Sequence, residues 1–261
     1  MKPPKIKAVF FDVDGTLMSF KTHQIPQSTQ DALHLLREKG IRLYIATGRS
    51  SHSMQFMDQY FKFDAYVLLN GQYCYGPSGL IRKHTIDIQD IRRLKELIAK
   101  YQFPCLFCHE RGNSLNQVDD RVLKFFHAIN CPIPELKNVN LVAENDVLGF
   151  VSFLPEGDEK LLMNELNHIE LTRFMPMCFD AMPAGGGKDA GIKAVLDYEN
   201  IHPEEIMAFG DGHNDLSMLS YAGIGIAMGS AEQRVKDKAD YVTASVDDDG
   251  IFQALKHFNV I

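Results

Sequence analysis

The first residues that could form a reactive site are two aspartates near the start of the chain. Asp12 and Asp14 stand in the string DVDGT, directly after the apolar run AVFF. Two carboxylates at positions i and i+2 beside a buried strand are costly unless they hold a cation or exchange protons with a bound molecule. The string therefore predicts metal binding or acid–base chemistry.

Two simpler explanations exist for this string. A calcium loop of the EF-hand type needs an acidic residue at its fifth position and Glu at its twelfth. Those positions hold Thr16 and His23, which excludes that loop. A plain Asp-Gly turn stays open on this string alone.

A second acidic string, GDGHND, covers residues 210–215 and also follows an apolar run. Asp211 and Asp215 offer further hard oxygen ligands, which complete a candidate Mg²⁺ site. Asn214 can donate a hydrogen bond to a phosphate oxygen. The alternative is a glycine-bearing loop between a strand and a helix, with Asp215 in the first helical turn.

Two further positions offer contacts for an anion. Thr47, Gly48 and Arg49 follow a predicted strand, and a hydroxyl with neighbouring backbone N–H groups forms a phosphate nest. Thr47 by itself is equally typical of a helix cap, and Arg49 fits either a phosphate or a surface carboxylate. Lys188 follows three glycines at a predicted helix start, where the helix dipole disfavours a cation. An anionic partner or a merely solvated lysine explains that position.

The elements that must place these residues alternate between strand and helix in both outer parts of the chain. This order is typical of right-handed βαβ units and predicts a doubly wound, mostly parallel α/β sheet. Ligands bind at the carboxyl ends of the strands in such sheets. The predicted strands are 8–11, 41–46, 65–69, 205–210, 224–228 and 241–244, and the predicted helices are 28–39, 189–199, 214–222, 231–239 and 250–258.

The pattern changes between residues 83 and 187. This stretch predicts helices at 90–101, 118–128 and 156–168, with strands at 105–110 and 149–154. We therefore expect a core domain formed by 1–82 plus 188–261, with an α+β domain of 83–187 inserted into it.

Composition narrows the classes of partner. The 261 residues carry a net charge of −7, and neither predicted domain is basic, so a nucleic-acid track is not expected. No apolar stretch is long enough to span a membrane. The N-terminal apolar run is too short for a signal peptide, and five cysteines suggest reduced thiols, so we expect a cytoplasmic protein.

The string CLFCH (105–109) matches a haem-attachment pattern, but on a strand Cys105 and Cys108 point to opposite faces.

Together the four strings resemble the haloacid dehalogenase (HAD)-like phosphohydrolases. The match comprises DxDGT at 12–16, Thr47, Lys188 and GDGxND at 210–215, in the family's order. The insertion resembles the type C2B cap of the Cof-type subfamily IIB, and the strings AMGSA (227–231) and DDDG (247–250) are similar to the Cof tail. The resemblance covers nearly the whole chain.

The resemblance implies a Rossmann-like HAD core and a role for each motif residue. Asp12 is then the nucleophile that forms an aspartyl-phosphate, and Asp14 the general acid and base. Mg²⁺ is held by the carboxylates of Asp12, Asp211 and Asp215 and by the Asp14 backbone carbonyl. Phosphate oxygens are then held by Thr47 and Lys188, and the candidate phosphate contacts from the residues themselves are Gly48, Arg49 and Asn214.

The expected function is Mg²⁺-dependent hydrolysis of small phosphorylated metabolites, with sugar phosphates as the leading class. One alternative is a phosphomutase or phosphotransferase on the same fold, which passes the phosphoryl group on instead of releasing it. Another is a non-catalytic regulator that binds a phosphorylated metabolite. The sequence specifies neither the substrate nor the oligomeric state.

Overall fold

The structure is a computed structural model that describes residues 5–129 and 131–261. The chain forms two compact units. The larger unit contains Met1–Arg49, Ser53–Arg82 and Gly187–Ile261, and the smaller contains Ser50–His52 and Lys83–Gly186.

The described residues form fourteen strands and eight α-helices. The strands are β1 (Ala8–Phe11), β2 (Arg42–Ala46), β3 (Ala65–Leu68), β4 (Tyr73–Gly76), β5 (Gly79–Lys83), β6 (Cys105–His109), β7 (Gly112–Leu115), β8 (Glu135–Leu136), β9 (Gly149–Ser152), β10 (Ile169–Met175), β11 (Cys178–Pro183), β12 (Ile206–Gly210), β13 (Ile224–Ala227) and β14 (Tyr241–Val242). The helices are α1 (Gln27–Glu38), α2 (Ile88–Tyr101), α3 (Asp120–Ala128), α4 (Lys160–Met163), α5 (Lys188–Glu199), α6 (Leu216–Tyr221), α7 (Gln233–Lys236) and α8 (Gly250–His257). Short 3₁₀ turns include His52–Gln59, Leu69–Gly71 and His213–Asp215.

The larger unit is built on one eight-stranded sheet in the order β14-β13-β12-β1-β2-β3-β4-β5. The strands from β14 to β3 run parallel, and β4 turns back antiparallel to β3. From β1 the chain continues to β2 and β3 on one side of the sheet and later adds β12, β13 and β14 on the other side. This change of direction beside β1 is the switch point at which open α/β sheets bind ligands. The predicted doubly wound sheet is confirmed.

Alternating side chains of β1 separate two apolar layers in this unit. Val9 and Phe11 face a layer that includes residues of α1 and α8. Ala8 and Phe10 face the opposite layer, formed with residues of α5 and α6. Because both faces are covered by helices, β1 is buried along its whole length, and the polar residues that follow it emerge at its carboxyl end.

The smaller unit has a six-stranded sheet in the order β10-β11-β9-β6-β7-β8. Its neighbours pair antiparallel except β7 and β8, which are parallel. Residues of α2 pack on the face that carries Phe107 and Phe150, and residues of α3 pack on the face that carries Leu106 and Val151. Cys105 lies on the first of these faces, and the strand alternation places Cys108 on the second, as predicted.

Several predicted elements differ from the structure. The helix expected at 156–168 is reduced to α4, and beyond it the backbone N–H groups of Asn167 and His168 donate to the Asp90 carboxylate instead of continuing the helix. The helix expected at 231–239 is reduced to α7, after which Asp240 binds the Gly225 N–H and opens β14. The strand pair β10–β11 was missing from the prediction.

Among the described residues, no helix combines the length and the apolar character needed to cross a membrane.

Candidate active site

Parallel pairing brings the predicted site residues to one edge of the large sheet. Phe11, the last residue of β1, pairs with Ile45 of β2 and with Phe209 of β12. The Asp12 N–H then donates to the Phe209 carbonyl at 2.9 Å. The loops that follow β1, β2 and β12 therefore start side by side, although they are far apart in the sequence.

Lys188 is the first residue of α5 and is fully buried. Its Nζ donates to Asp12 Oδ1 at 2.6 Å and to Asp215 Oδ1 at 2.5 Å. Burying an ammonium is unfavourable unless opposite charges and hydrogen-bond acceptors surround it. The two carboxylates provide both, so the lysine is a part of the site and not a solvated surface residue.

The other oxygen of Asp215 is fixed by the loop on which it lies. Oδ2 accepts hydrogen bonds from the backbone N–H groups of Asp211 at 2.9 Å and Gly212 at 2.8 Å. These bonds close the loop over the 3₁₀ turn His213–Asp215. They leave Oδ1 directed at Lys188, so the backbone itself orients this carboxylate.

Asp211 is positioned by two residues of the DVDGT string. Thr16 Oγ1 donates to Asp211 Oδ1 at 2.8 Å. Gly15 makes this approach possible: its φ is +85°, and a Cβ there would collide with the Asp211 carboxylate. Burial raises the pKa of Asp211 to about 6, against the lowering effect of the Thr16 hydrogen bond.

The charges of the buried group are strongly coupled. Burial, followed by repulsion from Asp215, raises the pKa of Asp12 well above its usual range, and Lys188 acts in the opposite direction. Burial lowers the pKa of Lys188, but attraction to Asp12 and Asp215 outweighs burial and leaves that pKa above its usual value. The ammonium therefore stays protonated, and Asp12 has two neighbouring carboxylates against this one cation.

The carboxylates form a donor set that fits a hard cation. One oxygen each from Asp12, Asp211 and Asp215 lies within 4.8 Å of the other two. Three carboxylate oxygens are the ligands that Mg²⁺ prefers, and a divalent charge beside them favours their ionised forms. These residues thus fit a divalent metal ion.

The loop after β2 and the turn after β3 lie against each other. The Thr47 hydroxyl accepts from the Arg49 N–H at 3.2 Å, and the Thr47 carbonyl accepts from the Asn70 N–H at 3.0 Å. Asn70 Oδ1 in turn accepts from Asn214 Nδ2 at 2.9 Å. A Cβ on Gly48 would lie 3.3 Å from Asn70 Oδ1, so the chain passes closely here. Asn70 thus joins the Thr47 loop to the GDGHND loop.

Asn70 is a site residue that the sequence reasoning missed. An Asn-Gly pair such as Asn70-Gly71 indicates only a turn, and Asn70 does adopt the left-handed conformation typical of such turns, with φ of 52°. What the sequence could not show is that this turn lies beside both Thr47 and Asn214. The signal available was its position directly after a parallel strand.

Asp14 and Arg49 pair directly. Arg49 Nε donates to Asp14 Oδ2 at 2.7 Å, and Nη2 donates to Oδ1 at 2.6 Å. Of the two alternatives that the sequence left open for Arg49, a phosphate or a carboxylate, the structure contains the carboxylate contact. The carboxylate belongs to the predicted acid–base residue.

In the smaller unit, the residue types alone make five further polar or aromatic residues candidates for substrate contact, namely His109, Glu110, Arg111, Phe179 and Asp180. Phe179 is only 2% exposed, and the Arg173 guanidinium covers its ring at 4.0 Å. Phe179 is therefore a core residue and not a ligand contact. Burial raises the pKa of Asp180 to about 6.

Comparison with known proteins agrees with the motifs. The chain matches the family of haloacid dehalogenase-like hydrolases over residues 9–255. It is 30% identical to the putative phosphatase YkrA of Bacillus subtilis, over 98% of each chain. The chain therefore belongs to the haloacid dehalogenase-like hydrolases.

Solved structures define the subgroup. The phosphatase BT1666 from Bacteroides thetaiotaomicron has a TM-score of 0.91 at 36% identity, covering 98% of this chain and 96% of that chain. The subclass IIB sugar phosphatase BT4131 has a TM-score of 0.87 at 37% identity, covering 98% of this chain and all of that one. These similarities confirm the HAD core fold, the Cof-type assignment and the enzyme class, a phosphatase.

Proposed function

We propose that the protein is a Mg²⁺-dependent phosphatase that works through an aspartyl-phosphate on Asp12. The observation that carries the proposal is the position of Asp12. Its carboxylate belongs to the three-carboxylate cluster and also receives the Lys188 ammonium at 2.6 Å. A carboxylate nucleophile needs nearby positive charge to approach an anionic phosphate, and this residue has a lysine and a cation site beside it.

The carboxylates of Asp12, Asp211 and Asp215 and the backbone carbonyl of Asp14 would hold the Mg²⁺. When bound, the ion neutralises negative charge on the phosphate and the nucleophile. Phosphoryl transfer depends mainly on such neutralisation and on positioning.

The chain's own residues then divide the work. Thr47, Gly48 and Asn214 orient the phosphate oxygens by hydrogen bonds, and Lys188 offsets the repulsion between Asp12 and the phosphate. Loop contacts through Asn70 support this set, because they fix Thr47 and Asn214 against each other.

The reaction has two steps. An Asp12 oxygen forms a bond to phosphorus while the bond to the leaving oxygen breaks, and Asp14 gives its proton to that oxygen. Water then attacks phosphorus, Asp14 takes a proton from the water, and the bond between Asp12 and phosphorus breaks to release inorganic phosphate. Asp14 is suited to both roles because it lies two residues from Asp12 and 38% of its side chain is exposed to an incoming molecule.

Sugar phosphates are the proposed substrate class. The support is the 37% identity over the full length of a sugar phosphatase of subclass IIB. The cytoplasmic location remains a prediction from the sequence.

The test is phosphate release from a panel of sugar phosphates, nucleotides, and flavin and pyridoxal phosphates, with Mg²⁺ and with EDTA. We expect release that requires Mg²⁺ and is abolished in Asp12→Asn. Asp197→Asn is the matched control, because it changes an exposed aspartate on α5 that pairs with Lys193 on the same helix. Release unaffected by EDTA or by Asp12→Asn would refute the proposal. Transfer of the phosphoryl group to a second metabolite without free phosphate would favour the phosphotransferase.

A further inference from the structure

The guanidinium of Arg49 occupies both oxygens of Asp14. The two hydrogen bonds, 2.7 Å from Nε and 2.6 Å from Nη2, form the parallel two-pronged contact that arginine makes with carboxylates. This contact fixes the plane of the carboxylate as well as its position. An arginine that only lay near the site would not select one orientation of Asp14.

Arg49 is itself held by residues of the larger unit. Its Nη1 donates to the Ser53 carbonyl at 3.4 Å, and its guanidinium lies 5.2 Å from the centre of the Phe56 ring. Its backbone N–H donates to the Thr47 hydroxyl. The position of the guanidinium is thus set by the protein's own loop, on which Thr47 is the predicted phosphate contact.

The pairing leaves lone pairs of Asp14 open to a bound molecule. Each carboxylate oxygen has two lone-pair positions, and Arg49 occupies one on each oxygen. A second position on each oxygen stays available to a leaving oxygen or a water. With 38% of the Asp14 side chain exposed, a bound molecule can reach it.

We propose that Arg49 is a positioning residue for Asp14, which holds the acid–base carboxylate in the orientation needed for proton transfer, and that it is not a phosphate ligand. The inference rests on the proposed function, in which Asp14 protonates the leaving oxygen. Proton transfer depends steeply on the placement of the donor, so loss of the pairing lowers the rate of the steps in which Asp14 acts.

The leaving group distinguishes this role from phosphate binding. A sugar alkoxide is a poor leaving group and needs the proton of Asp14, whereas p-nitrophenolate leaves without one. In the first step, which kcat/KM reports, a defect in positioning Asp14 therefore falls mainly on sugar phosphates, whereas the second step, in which Asp14 takes a proton from water, is the same for both substrates. A lost phosphate ligand affects both substrates equally, because both carry the same phosphate.

The experiment compares kcat and KM for a sugar phosphate, chosen as the best substrate of the panel, and for p-nitrophenyl phosphate in the Mg²⁺-loaded enzyme. The variants are Arg49→Ala, Arg49→Lys, Asp14→Asn and the double variant Arg49→Ala/Asp14→Asn. Arg37→Ala is the control, since Arg37 pairs with Asp64 beside the amino end of β3, away from the site. Thermal unfolding checks that each variant is folded.

We expect Arg49→Ala to lower kcat/KM on the sugar phosphate by about 10- to 100-fold, with a loss at least about tenfold smaller on p-nitrophenyl phosphate. Arg49→Lys resembles Arg49→Ala, because an ammonium cannot make the two-pronged contact. In the Asp14→Asn background, Arg49→Ala adds little further loss on the sugar phosphate.

Equal losses of kcat/KM on both substrates, with a raised KM and weaker inhibition by inorganic phosphate, would overturn the positioning role and make Arg49 a phosphate ligand. Full additivity of the two substitutions would also overturn it. The proposed function fails separately: in that case the unaltered enzyme releases no phosphate, or Asp14→Asn itself shows no dependence on the leaving group.

Discussion

The ammonium of Lys188 lies 2.6 Å from Asp12 Oδ1, although the two residues are 176 positions apart in the chain. Lys188 opens α5, and Asp12 follows the central strand β1. A buried lysine at a helix start opposes the helix dipole, so its carboxylate partners must compensate for both burial and dipole. The arrangement is stable only as a set, which makes the pairing sensitive to the loss of any member.

Replacing Lys188 tests that dependence. In Lys188→Met, Asp12 and Asp215 remain buried without their shared cation, so we expect the metal-free protein to lose about 3–5 kcal/mol of unfolding free energy. Urea unfolding measures this loss. Lys193→Met, which removes an exposed lysine from the same helix, should change the free energy by less than about 0.5 kcal/mol. Equal stability of the two variants would refute the idea that Lys188 is held as a buried ion pair.

Asp215 is expected to contribute to metal affinity. In Asp215→Asn one ligand charge is lost, although an amide oxygen can still accept the hydrogen bonds of Asp211 and Gly212. We expect Mg²⁺ affinity to fall by about 10- to 100-fold with the fold retained. Calorimetric titration gives the affinity, with Asp197→Asn as the control. An unchanged dissociation constant would remove Asp215 from the metal site.

The conformation of Gly15 should be required for the site. Its φ of +85° disfavours any other residue, and an added Cβ meets the carboxylate of Asp211. We expect Gly15→Ala to weaken Mg²⁺ binding and lower activity by displacing Asp211. Gly79→Ala is a matched control, since Gly79 also has a positive φ, +111°, but a Cβ there meets no neighbouring atom. If both variants bind Mg²⁺ equally well, steric exclusion at Gly15 is not what places Asp211.

The stability of the smaller unit should depend on the protonation of Asp180. Burial raises its pKa from 3.8 to about 6 in the folded protein. The folded state therefore keeps this proton after the unfolded state has lost it, and the contribution to the unfolding free energy falls as the pH rises from about 4 to about 6. In Asp180→Asn, the decrease in unfolding free energy between pH 4 and pH 7 should be smaller by about 2 kcal/mol. Urea unfolding at the two pH values measures this difference. The control variant Asp158→Asn changes an exposed aspartate of the same unit and should keep the full pH dependence. If the unfolding free energy of Asp180→Asn shows the same pH dependence as that of the unaltered protein, the assignment to Asp180 is wrong.

The sequence was most informative for reactive residues that lie directly after a predicted strand or at the start of a predicted helix. Asp12, Asp211 and Lys188 were predicted together because each follows a predicted strand or opens a predicted helix in an alternating pattern. The pairing of Asp14 with Arg49 was less accessible, since the sequence allowed Arg49 two partners and only the packing of its loop decides between them. Asn70 was missed because Asn70, Thr47 and Asn214 lie on three separate loops, which only the folded sheet brings into contact.

Within the smaller unit, the local spacing of apolar and polar residues did not predict the secondary structure correctly in two places. The acidic stretch 156–168 has helical spacing, but its helix is confined to Lys160–Met163, and Asp90 on a different helix binds the backbone at 167–168. The long hairpin β10–β11 depends on pairing with β9, which no local pattern specifies.

The most direct test of the account is to trap the phosphoryl group on the protein. Enzyme loaded with Mg²⁺ is mixed with its best sugar phosphate, quenched in acid within a single turnover, digested and analysed by mass spectrometry. The account predicts one added phosphoryl group on the peptide that contains Asp12, which is lost on treatment with hydroxylamine and is absent in Asp12→Asn. Release of inorganic phosphate at full rate with no phosphorylated peptide at any quench time would contradict the aspartyl-phosphate mechanism.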